Sequence, residues 1–304
     1  MARGRTAMIG IVVLTYQTWE ATLECVESIR KTCAPPYRIY AVDNASPNGA
    51  YERVREALGG DADVRVIASG RNGGYGFGLN CGARAAVKDG CDAVVLSNND
   101  ILYLDGAIEK MYAALLSGPD VALACAQQVT PDGEKFPSAQ LRRFSSARVM
   151  LWYLPYGLRV REKRGERSLL NASAEVRVEK PLGGCYMMRA DILQEIGYYD
   201  ENIFLYSEED VIAEKLAKRG VHGVLCPEAR VIHHHGLTTG RSMANRYALA
   251  APSILYFGRT YLGWNRWQVA AHRLVFFAHM TAKAIIKPEY RRNYRELLGS
   301  VRKG

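Results

Sequence analysis

The most constraining feature of this chain is the alternation of short β-rich apolar runs with helical periodicity across its first 125 residues. Ile9–Thr15 is a continuous apolar run with branched side chains, the pattern of a strand covered on both faces. Thr18–Lys31 then places Leu23, Val26 and Ile29 at helical spacing. The same pair of signals recurs. Strands are expected at Tyr37–Asp43, Val64–Ala68, Ala93–Ser97 and Val121–Gln127. Helices are expected at Tyr51–Leu58, Gly78–Asp89 and Asp105–Leu116. Such alternation implies βαβ units and an α/β fold with a mostly parallel central sheet flanked by helices. The pattern loosens between about 130 and 180, where Pro131-Asp132-Gly133 marks a turn and Arg159–Arg167 an exposed charged loop. It resumes at Lys180–Arg189, with helices expected at Asp191–Ile196 and Val211–Arg219 and strands at Val221–Cys226 and Arg230–His233.

Charge divides the chain. Residues 241–304 hold 12 Lys and Arg against two acids, a net of +10, whereas the first 240 residues sum to −1. A near-neutral body at 1–240 thus carries a basic, mainly helical extension at 241–304, and the asymmetry points to an anionic partner. Trp264–Lys287 reads as an amphipathic helix with Trp267, Ala271, Leu274, Ala278, Ala282 and Ile285 near one face. That face suits either an anionic membrane surface or packing on the body. No nucleic-acid motif accompanies the charge, so nucleic acid is not expected as a partner. Seven cysteines, an odd number without a CxxC pair, argue against a disulfide framework or zinc site and fit a cytoplasmic chain.

Four polar constellations follow strands, where open α/β sheets bind ligands. Asp43-Asn44-Ala45-Ser46 ends the second strand and offers a carboxylate to a base or ribose. Asn72-Gly73-Gly74-Tyr75-Gly76 opens a helix, with glycines that permit close backbone approach to an anion. It is no dinucleotide fingerprint, because that belongs in the first βα turn, here Thr15-Tyr16-Gln17-Thr18-Trp19, which lacks glycine. Ser97-Asn98-Asn99-Asp100 presents one hard oxygen ligand suited to Mg²⁺ or Mn²⁺. Glu208-Glu209-Asp210 and His233-His234-His235 add an acidic cluster and a histidine run. Each also has a plain structural explanation, as turn, helix cap or dipole partner.

In their order these motifs resemble an inverting glycosyltransferase of family 2 with the GT-A nucleotide-sugar fold, over about residues 8–240. The carriers are the VDNAS segment, NGGYGFGLNCG, the SNND turn, GGCYMMRADILQEIGYYDENIFLYSEED and PEARVIHHHG. Within the family the chain is most similar to bacterial rhamnosyltransferase-like members that build cell-surface polysaccharides. The resemblance implies metal-assisted transfer of a sugar from a UDP- or dTDP-sugar, dTDP-rhamnose among them, to a glycan or lipid-linked acceptor. It assigns Thr15, Tyr16, Asp43, Asn72, Gly73 and Asn99 to the nucleotide, and Asp100 and His233 to a divalent cation, Mn²⁺ or Mg²⁺. The first Asp of the family's DxD element is Asn98 here, which removes one formal charge. Gly183, Gly184, Glu208 and Trp152 fall to the donor and acceptor. The general base is Glu209 or Asp210: literal matching pairs the two, an ungapped count pairs Glu208 with Glu209, and Glu209 belongs to both registers. A non-catalytic nucleotide-sugar-binding scaffold of the same fold is the competing class. The expected location is cytoplasmic, peripheral on the inner face of the membrane, with a homo-oligomer left open.

Overall fold

The structure is a computed structural model that describes residues 7–34, 36–147, 168–234 and 243–300. Trp152 and the charged loop Arg159–Arg167 lie outside the described residues. The chain begins β1 (Ile9–Thr15), α1 (Trp19–Thr32), β2 (Tyr37–Asp43), α2 (Ala50–Leu58), β3 (Val64–Ala68) and α3 (Tyr75–Lys88). It continues β4 (Ala93–Asn98), β5 (Ile101–Tyr103), α4 (Ala107–Leu115) and β6 (Val121–Val129). Then come β7 (Ala139–Gln140), β8 (Val176–Val178), β9 (Lys180–Pro181) and β10 (Cys185–Arg189), followed by α5 (Ala190–Glu195), α6 (Glu208–Lys218) and β11 (His222–His233). Four helices close the described chain: α7 (Met243–Thr260), α8 (Arg266–Ile286), α9 (Pro288–Arg292) and α10 (Tyr294–Ser300).

The sheet runs β3-β2-β1-β4-β10-β6-β11-β5, with β8 also paired to β11. Strands β1 to β4 are mutually parallel, and β11 is parallel to β6. β10 runs antiparallel between β4 and β6. This is the expected mostly parallel α/β architecture. Every residue of β1 is buried, which its unbroken apolar sequence requires of a central strand. One face is covered through Val26, Ile29 and Met111 of α1 and α4, and the other through Leu79, Ala83, Leu193 and Ile212 of α3, α5 and α6. Small residues let α3 lie close on the sheet: a Cβ on Gly82 would stand 2.5 Å from Val12 Cγ1.

Register levels the carboxyl ends. Thr15 pairs with Asp43, Asp43 with Ala68, and Leu14 with Asn98. Because β10 enters antiparallel, with Cys185 opposite Ser97, the Gly183-Gly184 loop that precedes it sits at this same edge. Several details differ from the sequence reading, among them the unexpected short strands β5 and β8. The two strands expected at 221–233 form one long strand with an irregularity between Cys226 and Arg230. α6 begins at Glu208, so the three acids occupy its first turn. α3 begins at Tyr75 rather than Gly78.

The extension is attached to the body. Ser253 Oγ donates to the Leu205 carbonyl at 2.8 Å. Tyr256 and Tyr261 both donate to Asp200 Oδ2, at 2.9 and 2.8 Å.

Candidate functional site

Two neighbouring regions at the carboxyl edge bring most of the singled-out residues together. The first is a cavity of about 150 Å³ lined by Tyr16, Asn72, Gly74, Tyr75, Asn98 and Asn99, with Phe204 and Leu205 as its far wall. Hydrogen bonds fix its shape. Asn72 Oδ1 accepts from Gly74 N and from Asn44 Nδ2, each at 3.2 Å, while Asn44 Nδ2 also donates to the Gly74 carbonyl at 3.0 Å. Asn99 Nδ2 donates to the Thr18 carbonyl at 2.7 Å and to Thr22 Oγ1 at 3.0 Å, which clamps the β1–α1 turn. Gly74 has a φ of +99°, and a Cβ there would collide with the Phe204 backbone, so only glycine lets the far wall approach.

Not every expected nucleotide residue faces this cavity. Thr15 is 1% exposed and its hydroxyl meets Thr22 Oγ1 at 2.6 Å. Gly73 is buried beneath the Phe77 ring. Asp43 is buried with Oδ2 accepting from Ser46 N at 2.9 Å, whereas Oδ1 has no hydrogen-bond partner. A buried carboxylate oxygen left unpaired is costly and fits a donor on a ligand. Asn98 Oδ1 and the Tyr75 hydroxyl are likewise buried and unpartnered.

The second region joins Asp100 to the acidic cluster. His233 Nε2 stands 3.3 Å from Asp100 Oδ1, with both side chains buried. His233 Nδ1 lies 2.6 Å from Gln128 Oε1, and Gln128 Nε2 donates to the Gly183 carbonyl at 3.1 Å. That bond orients the amide: Oε1 faces the imidazole, so Nδ1 donates to it, and Nε2 is turned to Asp100. A Cβ on Gly183 would lie 2.6 Å from Glu209 Oε1. Asp100, His233, Gln128, Gly183 and Glu209 are therefore consecutive neighbours. Gln128 carried no signal in the sequence, being one of two adjacent glutamines near the end of an otherwise apolar strand. Tyr75 stood inside a quoted motif without being singled out.

The three acids differ in environment. Asp210 forms a buried ion pair with Lys180, whose ammonium also lies 4.6 Å from the Phe144 ring centre. Glu208 is 3% exposed and its Oε1 has no partner. Burial, reinforced by the neighbouring Glu209 charge, pushes its carboxyl well above the usual range. Burial also raises Glu209, against the pull of Lys180. The turn that delivers these acids is strained, since Tyr206 and Ser207 both have φ near +70°. Glu209 and Asp210 open onto a second cavity of about 290 Å³, bounded by Phe144 and Lys180 and, across from them, by Ala250, Ile254 and Phe257 of α7.

Asp100 and His233 provide one carboxylate oxygen and one imidazole nitrogen, a donor set that fits a divalent cation completed by ligand oxygens. Among the described residues, no group of three or more His, Cys, Asp or Glu is arranged to hold a metal alone.

The chain is 24% identical to the N-acetylglucosaminyl-diphospho-decaprenol L-rhamnosyltransferase of Mycobacterium tuberculosis, over 97% of this chain and 99% of that one. It is 25% identical to the uncharacterized glycosyltransferase YwdF of Bacillus subtilis, over 66% of this chain and 65% of the other. Among solved structures it is similar to a mannosyltransferase of Pyrobaculum calidifontis in complex with GDP-Man and Mn²⁺. The TM-score is 0.56 at 14% identity, covering 97% of this chain and 85% of that one. It is also similar to GalNAc-T7 with UDP, GalNAc and Mn²⁺, with a TM-score of 0.62 at 14% identity over 95% of this chain and 54% of that chain. These neighbours establish the GT-A fold. The sequence profile of glycosyl transferase family 2 matches residues 10–197, and the chain belongs to that family.

Proposed function

We propose that this protein transfers a sugar from a UDP- or dTDP-sugar, dTDP-rhamnose among them, to a hydroxyl of a lipid-linked glycan with inversion at the anomeric carbon. The observation that carries the reading is the run of neighbours from Asp100 through His233, Gln128 and Gly183 to Glu209. It sets a diphosphate-side pair and a base candidate on either side of one glycine loop, beside a cavity suited to a nucleotide. The lipid-linked acceptor is supported by the name of the mycobacterial relative, which matches nearly end to end.

The nucleotide occupies the cavity at Tyr16 and Asn99. Asp43 lies outside its lining and holds the adjoining turn through Ser46 N. Asp100 and His233 would hold a divalent cation, Mn²⁺ or Mg²⁺, which would offset charge on the diphosphate leaving group. Glu209 takes the proton of the acceptor hydroxyl, and that oxygen attacks the anomeric carbon from the opposite face. One base suffices and no covalent intermediate forms. Glu209 is preferred to Asp210 because the Asp210 carboxylate is already held by Lys180. The raised Glu209 carboxyl suits proton abstraction near neutral pH. The raised Glu208 carboxyl beside it favours the neutral form, which limits charge repulsion in the cluster.

The test is transfer from nucleotide sugars to a polyprenyl-diphosphate acceptor, with the product anomer read by NMR. Wild type is expected to turn over with inversion, and EDTA to abolish turnover until Mn²⁺ or Mg²⁺ is restored. Glu209→Gln is expected to lose about 10²–10⁴ in turnover while folded. Retention of configuration, or full turnover by Glu209→Gln, would sink the mechanism; full turnover in chelator would remove the cation from it.

A further inference from the structure

The amphipathic helix α8 is fixed at its start by a capping box: Asn265 Oδ1 accepts from Trp267 N and Gln268 N at 2.9 and 3.0 Å, and Gln268 Oε1 accepts from Asn265 N at 3.0 Å. Its two faces have different surroundings. His272, Phe276, Met280 and Ala284, four residues apart, are buried in a cluster with Ala244, Ala248, Ala251 and Leu255 of α7. The other face has no protein over it among the described residues. Trp267, Leu274, Ile285 and Ile286 are 69, 70, 70 and 77% exposed, and Ala271, Ala278 and Ala282 are exposed between them. The apolar stripe anticipated from sequence therefore faces outward, and a different stripe packs.

α8 has 21 residues and holds an 18-residue window of mean hydropathy 1.2, long and apolar enough to cross a bilayer. Its buried face is committed to α7, so it is placed to lie along a membrane rather than through it. Exposed Arg266 and Lys287 bracket the apolar stripe, and exposed Arg291 and Arg292 follow it. A second copy is a poor occupant, because two segments of +10 would meet. Aromatic and aliphatic side chains flanked by Arg and Lys match an anionic lipid surface instead.

We propose that the outer face of α8 docks on an anionic lipid bilayer. The placement has a consequence for the lipid-linked acceptor, and this part rests on the glycosyl-transfer reading above. Ala248, Ala251 and Leu255 of α7 face α8, while Ala250, Ile254 and Phe257 of the same helix bound the cavity at Glu209 and Asp210. One helix layer, about 8–10 Å between axes, separates the docking helix from the acidic cavity. A polyprenyl chain held in the bilayer then keeps its head group within reach of the base.

The experiment is flotation of the full chain with vesicles of phosphatidylcholine, alone or mixed with phosphatidylglycerol. Wild type is expected to float with the mixed vesicles, and at least about tenfold less with phosphatidylcholine alone or in about 0.5 M salt. The double variant Leu274→Glu with Ile285→Glu is expected to lose at least about tenfold in flotation. Its melting temperature and its turnover of a short-chain soluble acceptor should stay as in wild type, since both side chains are exposed. Absence of flotation, or flotation unaffected by the double variant, would overturn docking through this face. So would a wild-type dimer that the variant converts to monomer with flotation unchanged. Flotation needs no donor, so docking with no glycosyl transfer would count against the proposed activity and leave the membrane surface standing.

Discussion

The contact between Gly183 and Glu209 gives a sharp test of how the proposed base, Glu209, is positioned. Gly183→Ala adds one methyl group. Its φ lies outside the left-handed region, so alanine fits the backbone. The added Cβ would stand 2.6 Å from Glu209 Oε1 and 3.6 Å from its Cδ, whereas ordinary contact begins near 3.4 Å. The carboxylate oxygen must retreat by about 0.8 Å. It is the far end of a flexible side chain, so the fold yields at a cost of about 1 kcal/mol for an off-rotamer torsion. Catalysis is less tolerant. A misplacement of about 1 Å costs on the order of 100-fold in rate, about 2.7 kcal/mol. The expected outcome is a soluble protein melting within a few degrees of wild type, with kcat down about 100-fold and donor affinity little changed. Steady-state transfer kinetics and a thermal melt check both halves. Wild-type kcat in a folded Gly183→Ala protein would refute the view that this loop sets the carboxylate.

Asp210→Asn leaves buried Lys180 without its carboxylate, so it is expected to destabilise by about 3–5 kcal/mol, whereas Glu209→Gln should cost under about 1 kcal/mol and lower turnover by about 10²–10⁴; paired melts and assays separate the two roles. Gln128→Leu removes both the acceptor at His233 Nδ1 and the donor to Gly183, and titration of Mn²⁺ with nucleotide present is expected to show about 10–100-fold weaker binding. The carboxyl of Glu208 is raised in the folded state, so the native protein holds this proton when the unfolded chain has released it. Its effect on stability therefore falls as pH rises from the ordinary Glu value of about 4.3 towards the raised value, the reverse of a salt-bridged acid. Melting temperature against pH should show that loss, and Glu208→Gln should flatten it.

Local periodicity determined much of this protein. The parallel strands β1 to β4, the helices between them and the polar segments at their carboxyl ends follow from apolar alternation, because each signal lies within one element. The ordered motifs pointed to the family and named the residues of the candidate site. The outward stripe of α8 was also present as a pattern, but the sequence left open which face would be covered. Tertiary structure decided that, by packing His272, Phe276, Met280 and Ala284 against α7. It also decided what joins distant segments. Antiparallel β10, wedged between β4 and β6, carries Gly183 to the edge occupied by Asp100. Lys180 selects Asp210 as its partner across 30 positions, and Gln128 reaches His233 across 105. Three adjacent acids look alike in sequence. Their different environments arise only when the sheet brings a lysine to one and a glycine to another, and withholds any partner from one oxygen of the third.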